Sequence, residues 1–303
     1  MKKFLTYTSL FILLVAGVFM AMLFRAGFEV DEFYGRFTTP KQHAFILGTS
    51  RAAQGLNPEV LNQELHRNDF FNYSFTNEHS PYGPVYLKSI QQKHAAEKKD
   101  GIFILTVDPW NVGSDKNNPD DEKLFRENEL MLSGMWSVNS KPNFLYLLKY
   151  YDGSYFNILT KKQDSQLHLH ENGWLEVIVP TDSASVSKRT RERMKLYREE
   201  TLQRYSFSST RLSWLGKTAE YLRQYGKVYL VRLPVSDEML SIEMEQNKSF
   251  DVIIREFARE MNLPYLDISS ENDQVAFTDG NHIARQSVAD VSKRVADFVK
   301  SNP

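Results

Sequence analysis

A chain of 303 residues with 37 Lys and Arg against 38 Asp and Glu, and 42% apolar residues, suits one globular core of ordinary size, with or without an insertion. The near-neutral balance excludes the basic footprint of a nucleic-acid binder, so no nucleic acid is expected among its partners. The absence of cysteine excludes disulfides, thiolate zinc sites, cysteine nucleophiles and a lipobox-type lipid anchor.

Lys2 and Lys3 precede an apolar run from Phe4 to Phe24, interrupted only by Thr6, Tyr7, Thr8 and Ser9. As a helix this run covers about 30 Å, the thickness of a bilayer's hydrocarbon core. The lysines before it, and Glu29, Asp31 and Glu32 beyond Arg25, orient it with its N-terminus in the cytoplasm. The expectation is a single-pass cell-membrane protein with an anchor over 4–24, a linker over 25–43 and an extracytoplasmic domain over 44–303. A cleaved signal peptide is the competing reading, although Met20 to Gly27 offers no good pair of small residues three apart before a cut.

Past a short polar stretch from Gly35 to Gln42, Ala44 to Leu47 reads as a strand. It breaks at Gly48-Thr-Ser50 and leads through Asn57-Pro58 into a helix ending near His66. Phe70–Phe75 is a second strand, Val85–Lys98 a helix and Gly101–Val107 a third, buried strand. Later come a helix over Leu212–Gln224, a strand over Lys227–Leu233, a helix over Phe250–Met261, a short strand over Tyr265–Asp267 and an amphipathic helix over Ile283–Val299. This alternation predicts an α/β fold with a mostly parallel sheet covered on both faces.

From about 113 to 205 the alternation fails, which marks an insertion. Within it, Leu167–His170, an Asn172-Gly173 turn and Trp174–Val179 predict a hairpin. The charged segment Lys188–Arg204 reads as a helix with a solvated face. Trp136, Tyr146, Tyr150, Tyr151 and Trp174 suit either a carbohydrate-facing cover or a small subcore. His168 and His170 alternate on one strand face, but without a carboxylate pair beside them they read as hairpin surface, and no metal or other cofactor is expected.

Ligands of open parallel sheets collect outside the carboxyl ends of the strands, where Ser50 follows the first strand on a glycine-led turn. Such a serine can be a turn or cap residue, or an exposed nucleophile. Far along the chain, Asp279 and His282 stand three apart across a turn before the last helix, a spacing that lets both side chains reach one rim. A histidine directed at a serine and oriented by an aspartate activates the hydroxyl. Arg51 beside Ser50 suits an anionic substrate or a carboxylate on the rim. Asp108 and Arg232, near strand ends, carry the same ambiguity. Trp110 suits an acyl pocket or core filling.

Gly48-Thr-Ser50-Arg-Ala near the start of the domain and Asp279-Gly-Asn-His282 near its end resemble the first and last blocks of the SGNH (GDSL-like) serine hydrolases and acyltransferases. The resemblance extends in strand order from about Ala44 to Val299 and leaves out the insertion. It implies a flavodoxin-like three-layer α/β/α sandwich with Ser50 as nucleophile and His282 and Asp279 completing a triad. The family's second block, an asparagine, a small residue and a glycine that donates an oxyanion-hole N–H, is matched in spacing by Asn72, Ser74 and Asn77. An oxyanion hole of the Ser50 and Asn77 backbone N–H groups is therefore implied. The third block, Gly-x-Asn-Asp, is absent; Asp108-Pro-Trp-Asn111 follows the strand instead, with Asn111 as a candidate side-chain donor. An anchored, outward-facing member of this family resembles proteins that add or remove O-acyl groups, acetyl above all, on exported or cell-surface polysaccharides, often beside a membrane acyl-donor protein. A non-catalytic scaffold or polysaccharide-binding partner on the same fold is the alternative. A metal-dependent phosphoesterase lacks the clustering such sites need.

Overall fold

In the computed structural model, which describes residues 1–97, 99–161, 164 and 166–303, nine strands occur in chain order. They are β1 (Ala44–Leu47), β2 (Phe70–Asn72), β3 (Gly101–Thr106), β4 (Gly113–Asp115), β5 (Leu167–Leu169), β6 (Leu175–Val177), β7 (Tyr205–Phe207), β8 (Gly226–Arg232) and β9 (Tyr265–Asp267). Five of them form one sheet in the order β2-β1-β3-β8-β9, every neighbouring pair parallel.

Successive side chains of a strand point to opposite faces, and both faces of this sheet are apolar. Phe45, Leu47, Phe103, Leu105, Val228 and Leu230 pack one way, against the helices Pro84–Lys93, Ser209–Arg223 and Phe250–Glu260. Ala44, Ile46, Ile104 and Val231 pack the other way, against Ala52, Leu61 and the stripe Val288, Val291 and Val295 of the last helix, Arg285–Ser301. The result is three layers. The order reverses at β1, which has β2 on one side and β3 on the other, so the crevice at the end of β1 is where a ligand is expected.

Element bounds differ from expectation where local chemistry intervenes. The first helix splits into Ser50–Gly55 and Pro58–Glu64, because Asn57 caps the second by accepting a bond from the N–H of Glu59 at 2.9 Å. The helix begun at Pro84 stops at Lys93, since His94 turns extended and the N–H of Ala95 donates to the carbonyl of Gln42. Its expected end at Lys98 lies outside the described residues. A helix at Asp237–Gln246, capped by the Ser236 side chain, was not foreseen.

The stretch from 113 to 205 is closed at its neck by antiparallel pairing of β4 with β7. The hairpin of β5 and β6 turns at Gly173, whose φ of 83° suits glycine, and its Asn172 carbonyl accepts the N–H of Asn72 at the sheet edge. Tyr146 is buried, Tyr150 and Tyr151 pack partly against the main core, Trp174 donates its ring N–H to the Gln54 carbonyl, and Trp136 is exposed.

The N-terminal helix, Lys2–Leu23, has a mean hydropathy of 2.1 over its most apolar window, and is long and apolar enough to cross a membrane. The segment after it is not the loose linker expected. Ala26, Tyr34 and Phe37 are buried in the main core, and Arg36, fully buried, donates to the carbonyls of Asn72 and Gly173. Burial lowers the Arg36 pKa to about 10.

Candidate active site

The turn after β1 is shaped by Gly48, whose φ of 150° and contact with Thr106 leave no room for a side chain: a Cβ there would stand 1.9 Å from Thr106 Oγ1. Its N–H donates to Tyr86 Oη and its carbonyl accepts from Ser80 Oγ at 2.7 Å, which ties the β1 turn to the loop after β2. Ser50 then opens the short helix Ser50–Gly55, half-buried at the rim.

Across the crevice, the Asp279 carboxylate organises its own turn by accepting the backbone N–H groups of Asn281 (3.1 Å) and His282 (2.9 Å). Gly280, with φ of 76°, completes that turn. The same carboxylate faces His282 Nδ1 at 3.0 and 3.1 Å, and His282 Nε2 lies 2.9 Å from Ser50 Oγ. Serine, histidine and aspartate thus converge within hydrogen-bond reach, the geometry in which an imidazole can take a hydroxyl proton.

Asn281 refines that geometry. Its Oδ1 accepts from Arg51 Nε at 3.0 Å and Nη2 at 2.6 Å, which fixes the amide so that Nδ2 faces His282 Nε2 at 3.2 Å. An N–H directed at Nε2 favours the tautomer with the proton on Nδ1 and a lone pair on Nε2, ready for Ser50.

Arg51 does not line the cleft beside Ser50. It is 5% exposed, pairs through Nη1 with Glu243 Oε1 at 2.6 Å, and lies 4.0 Å from Asp108 Oδ2. Glu243 also holds Arg232 at 2.9 Å, and Arg232 in turn pairs with Asp251. Burial works against the Arg51 charge, and the carboxylates of Glu243 and Asp108 more than reverse that. Asp108 itself is raised by burial, with Arg51 opposing.

Asn111 is placed elsewhere than expected, and Trp110 takes the core-filling alternative. The Asn111 side chain donates to the Thr106 carbonyl at 2.9 Å and accepts from the Asp108 N–H, so its amide is used in closing the turn after β3. Trp110 is buried with Met194, Val235, Met239 and Ile242, edge-on to Tyr197. The offset of Asn111 from the end of β3 makes it a turn residue, and the apolar residues of two helices enclose the indole.

The cleft above Ser50 measures ≈ 370 Å³ and is lined by Ser50, His282, Thr76, Asn77, Glu78, Arg193, Tyr197, Glu200, Arg204 and Tyr205, among others. Asn77 stands in the turn that Thr76 ties together by accepting the N–H groups of His79 and Ser80, and no acceptor takes its own N–H among the described residues. The opposite wall is the segment expected to be a solvated helix. It runs as an α-helix over Ser183–Leu196 and widens into a π-turn at Tyr197–Thr201, a distortion often found beside sites. Its Arg189 donates to the Thr278 carbonyl, and Arg193 Nε donates to Asp279 Oδ2 at 2.9 Å. Burial alone would raise the Asp279 carboxyl; the charge and hydrogen bonds of His282, with Arg193, override it and hold the group well below the ordinary carboxylate range. Tyr197 is pushed up to about 12 by burial. Among known proteins, no family model matches the chain, and no curated protein matches it.

Proposed function

We propose that this chain is a membrane-anchored serine esterase or O-acyltransferase of the SGNH type, its domain outside the cytoplasm, acting on acyl esters of an exported or cell-surface polysaccharide. The observation that carries the reading is the 2.9 Å approach of Ser50 Oγ to His282 Nε2, with Asp279 behind the imidazole and an open cleft above. His282 takes the Ser50 proton as Oγ bonds to the ester carbonyl carbon, and the Ser50 and Asn77 N–H groups receive the oxyanion. Collapse breaks the ester C–O bond, and the proton passes from His282 to the departing alkoxide. Water or a sugar hydroxyl then attacks the acyl-serine, giving hydrolysis or transfer. Charged and aromatic walls, with Glu78, Glu200, Arg204 and Tyr205, suit a hydroxyl-rich acceptor. A membrane acyl donor would supply the transfer reaction.

A second reading, a non-catalytic polysaccharide-binding scaffold, draws on Asn111, whose amide is taken up by Thr106 and leaves the oxyanion two backbone donors. Labelling of the full chain by a fluorophosphonate probe, with acetyl-ester turnover alongside, separates the two. The enzyme reading expects labelling that disappears in Ser50→Ala; a folded native chain inert to both probe and ester overturns it in favour of the scaffold.

A further inference from the structure

The N-terminal helix has little length to spare: its apolar part, from Phe4 to Leu23, covers about 30 Å at 1.5 Å per residue, the bare thickness of a hydrocarbon core. Phe19, four residues before the helix end, therefore sits about 6 Å inside the boundary of that core. Yet the Phe19 ring touches Tyr155, in the short helix Tyr155–Thr160, with centroids 5.4 Å apart. A residue of the insertion is thus carried to bilayer depth by the anchor itself.

The surroundings of Tyr155 have the matching character. Tyr155 Oη donates to the Leu147 carbonyl, which pins its helix to the neighbouring one, Phe144–Lys149. Phe144 meets Phe24 edge-on at 5.7 Å, on the anchor's last turn. Leu159 lies one turn beyond Tyr155, and Leu148 one turn beyond Phe144. Phe156, Phe24, Leu148 and Leu159 are exposed by 65, 61, 59 and 43%, although Leu147 and Ile158 on the same helices are fully buried. Glu29, Asp31, Glu32 and Asp152 line the adjoining cleft and outnumber Arg25, Lys149 and Lys161 nearby, so charge gives no net attraction to anionic headgroups; the contact is apolar.

We propose that the helices Phe144–Lys149 and Tyr155–Thr160 lie in the lipid interface of the leaflet where the anchor emerges, with Phe156, Leu148 and Leu159 among the acyl chains. This rests on reading the N-terminal helix as a retained anchor and is independent of the catalytic reading.

Because the chain has no cysteine, a fluorophore can be placed at one position at a time in the full-length protein. Phe156→Cys, Val15→Cys in the anchor and Val252→Cys on an exposed helix would each carry an environment-sensitive dye in phosphatidylcholine vesicles, with and without nitroxide-labelled lipid. The proposal expects blue-shifted emission and at least twofold quenching at 156 and 15 but not at 252, unchanged by anionic lipid. Quenching at 15 with position 156 behaving like 252 overturns the proposal and leaves the anchor standing. No quenching at 15 overturns the anchor reading and the proposal with it. Shielding at 156 that grows with protein density and ignores nitroxide lipid overturns it in favour of a second copy of the chain.

Discussion

Two clusters of polar side chains adjoin each other in this fold, joined along the chain only where Ser50 meets Arg51, and they meet opposite fates. Ser50, Asp279 and His282 stand at the rim with a cleft above them, while Arg51, Asp108, Glu243 and Arg232 are sealed beneath, each no more than 5% exposed. Both are hydrogen-bonded and both carry charge. What separates them is access: the rim cluster has an open side where a reacting atom can sit, whereas the sealed one spends its charges on itself. Asn281 joins the two, since Arg51 reaches His282 only through that amide.

The sharpest way to break the comparison is to remove one member of each cluster. Ser50→Ala should lower ester turnover by about three decades or more with the unfolding midpoint almost unmoved, and His282→Ala should lower turnover as much while also reducing stability, because it leaves the buried Asp279 carboxylate to Arg193 alone. Glu243→Ala should act first on stability, costing about 3 kcal/mol in urea unfolding because it removes the carboxylate that two buried guanidinium groups share. If Glu243→Ala left stability intact, the sealed cluster would have to be reclassified as part of the working site.

A subtler probe is Arg193→Gln, which keeps the helix and removes one charge from Asp279. Turnover should fall about tenfold, and the pH dependence of stability should move. Asp279 ionises below its unfolded value of about 3.9, so the unfolded chain binds more protons there, and the stabilisation is full above that value and lost as pH falls through it. Without Arg193 the Asp279 pKa rises toward normal and less stabilisation remains to be lost, so the fall of the urea midpoint on acidification below the unfolded value of about 3.9 should level off at a higher pH than in the native chain. A midpoint that levels off at the same pH as in the native chain would show that Arg193 does not act on the carboxylate.

A more gradual effect, spread over several pH units, concerns a buried cation with no carboxylate beside it among the described residues. Lys93, fully buried, donates to the carbonyls of Thr39 and Val138, and burial pushes its pKa down to about 7. The folded chain then holds fewer protons than the unfolded one above that value, so stability should rise with pH from about 7 toward 10, by at most ~1.4 kcal/mol per unit. Lys93→Met should flatten this slope, as read from unfolding midpoints at pH 7 and 9.

The sheet was legible because its strands are runs of Phe, Ile, Leu and Val separated by helical stretches, a signal contained in neighbouring residues. The Asp279 to His282 spacing was legible for the same reason: the carboxylate builds its own turn within four residues. Pairings across the chain were not. Arg193 reaches Asp279 across 86 positions, and a helix so rich in Lys, Arg and Glu reads as solvated because its contacts are polar and leave no apolar stripe. Arg51 looked available to a ligand because nothing local announces Glu243. Asn281 drew no role from its neighbours, since what it does depends on a guanidinium 230 residues away. The segment after the anchor was misread for a different reason: its polar residues drew attention from Tyr34 and Phe37, which carry its packing.

That segment decides how far the cleft can travel. Nineteen unstructured residues between anchor and domain would let the domain roam roughly 24 Å, sampling substrates at many heights. With Arg36 bolted to Asn72 and Gly173, and Tyr34 and Phe37 in the core, that freedom is gone. With the N-terminal helix in a membrane, as proposed, the opening above Ser50 would be held at one altitude over it, and only molecules delivered to that altitude would experience a high local concentration of it.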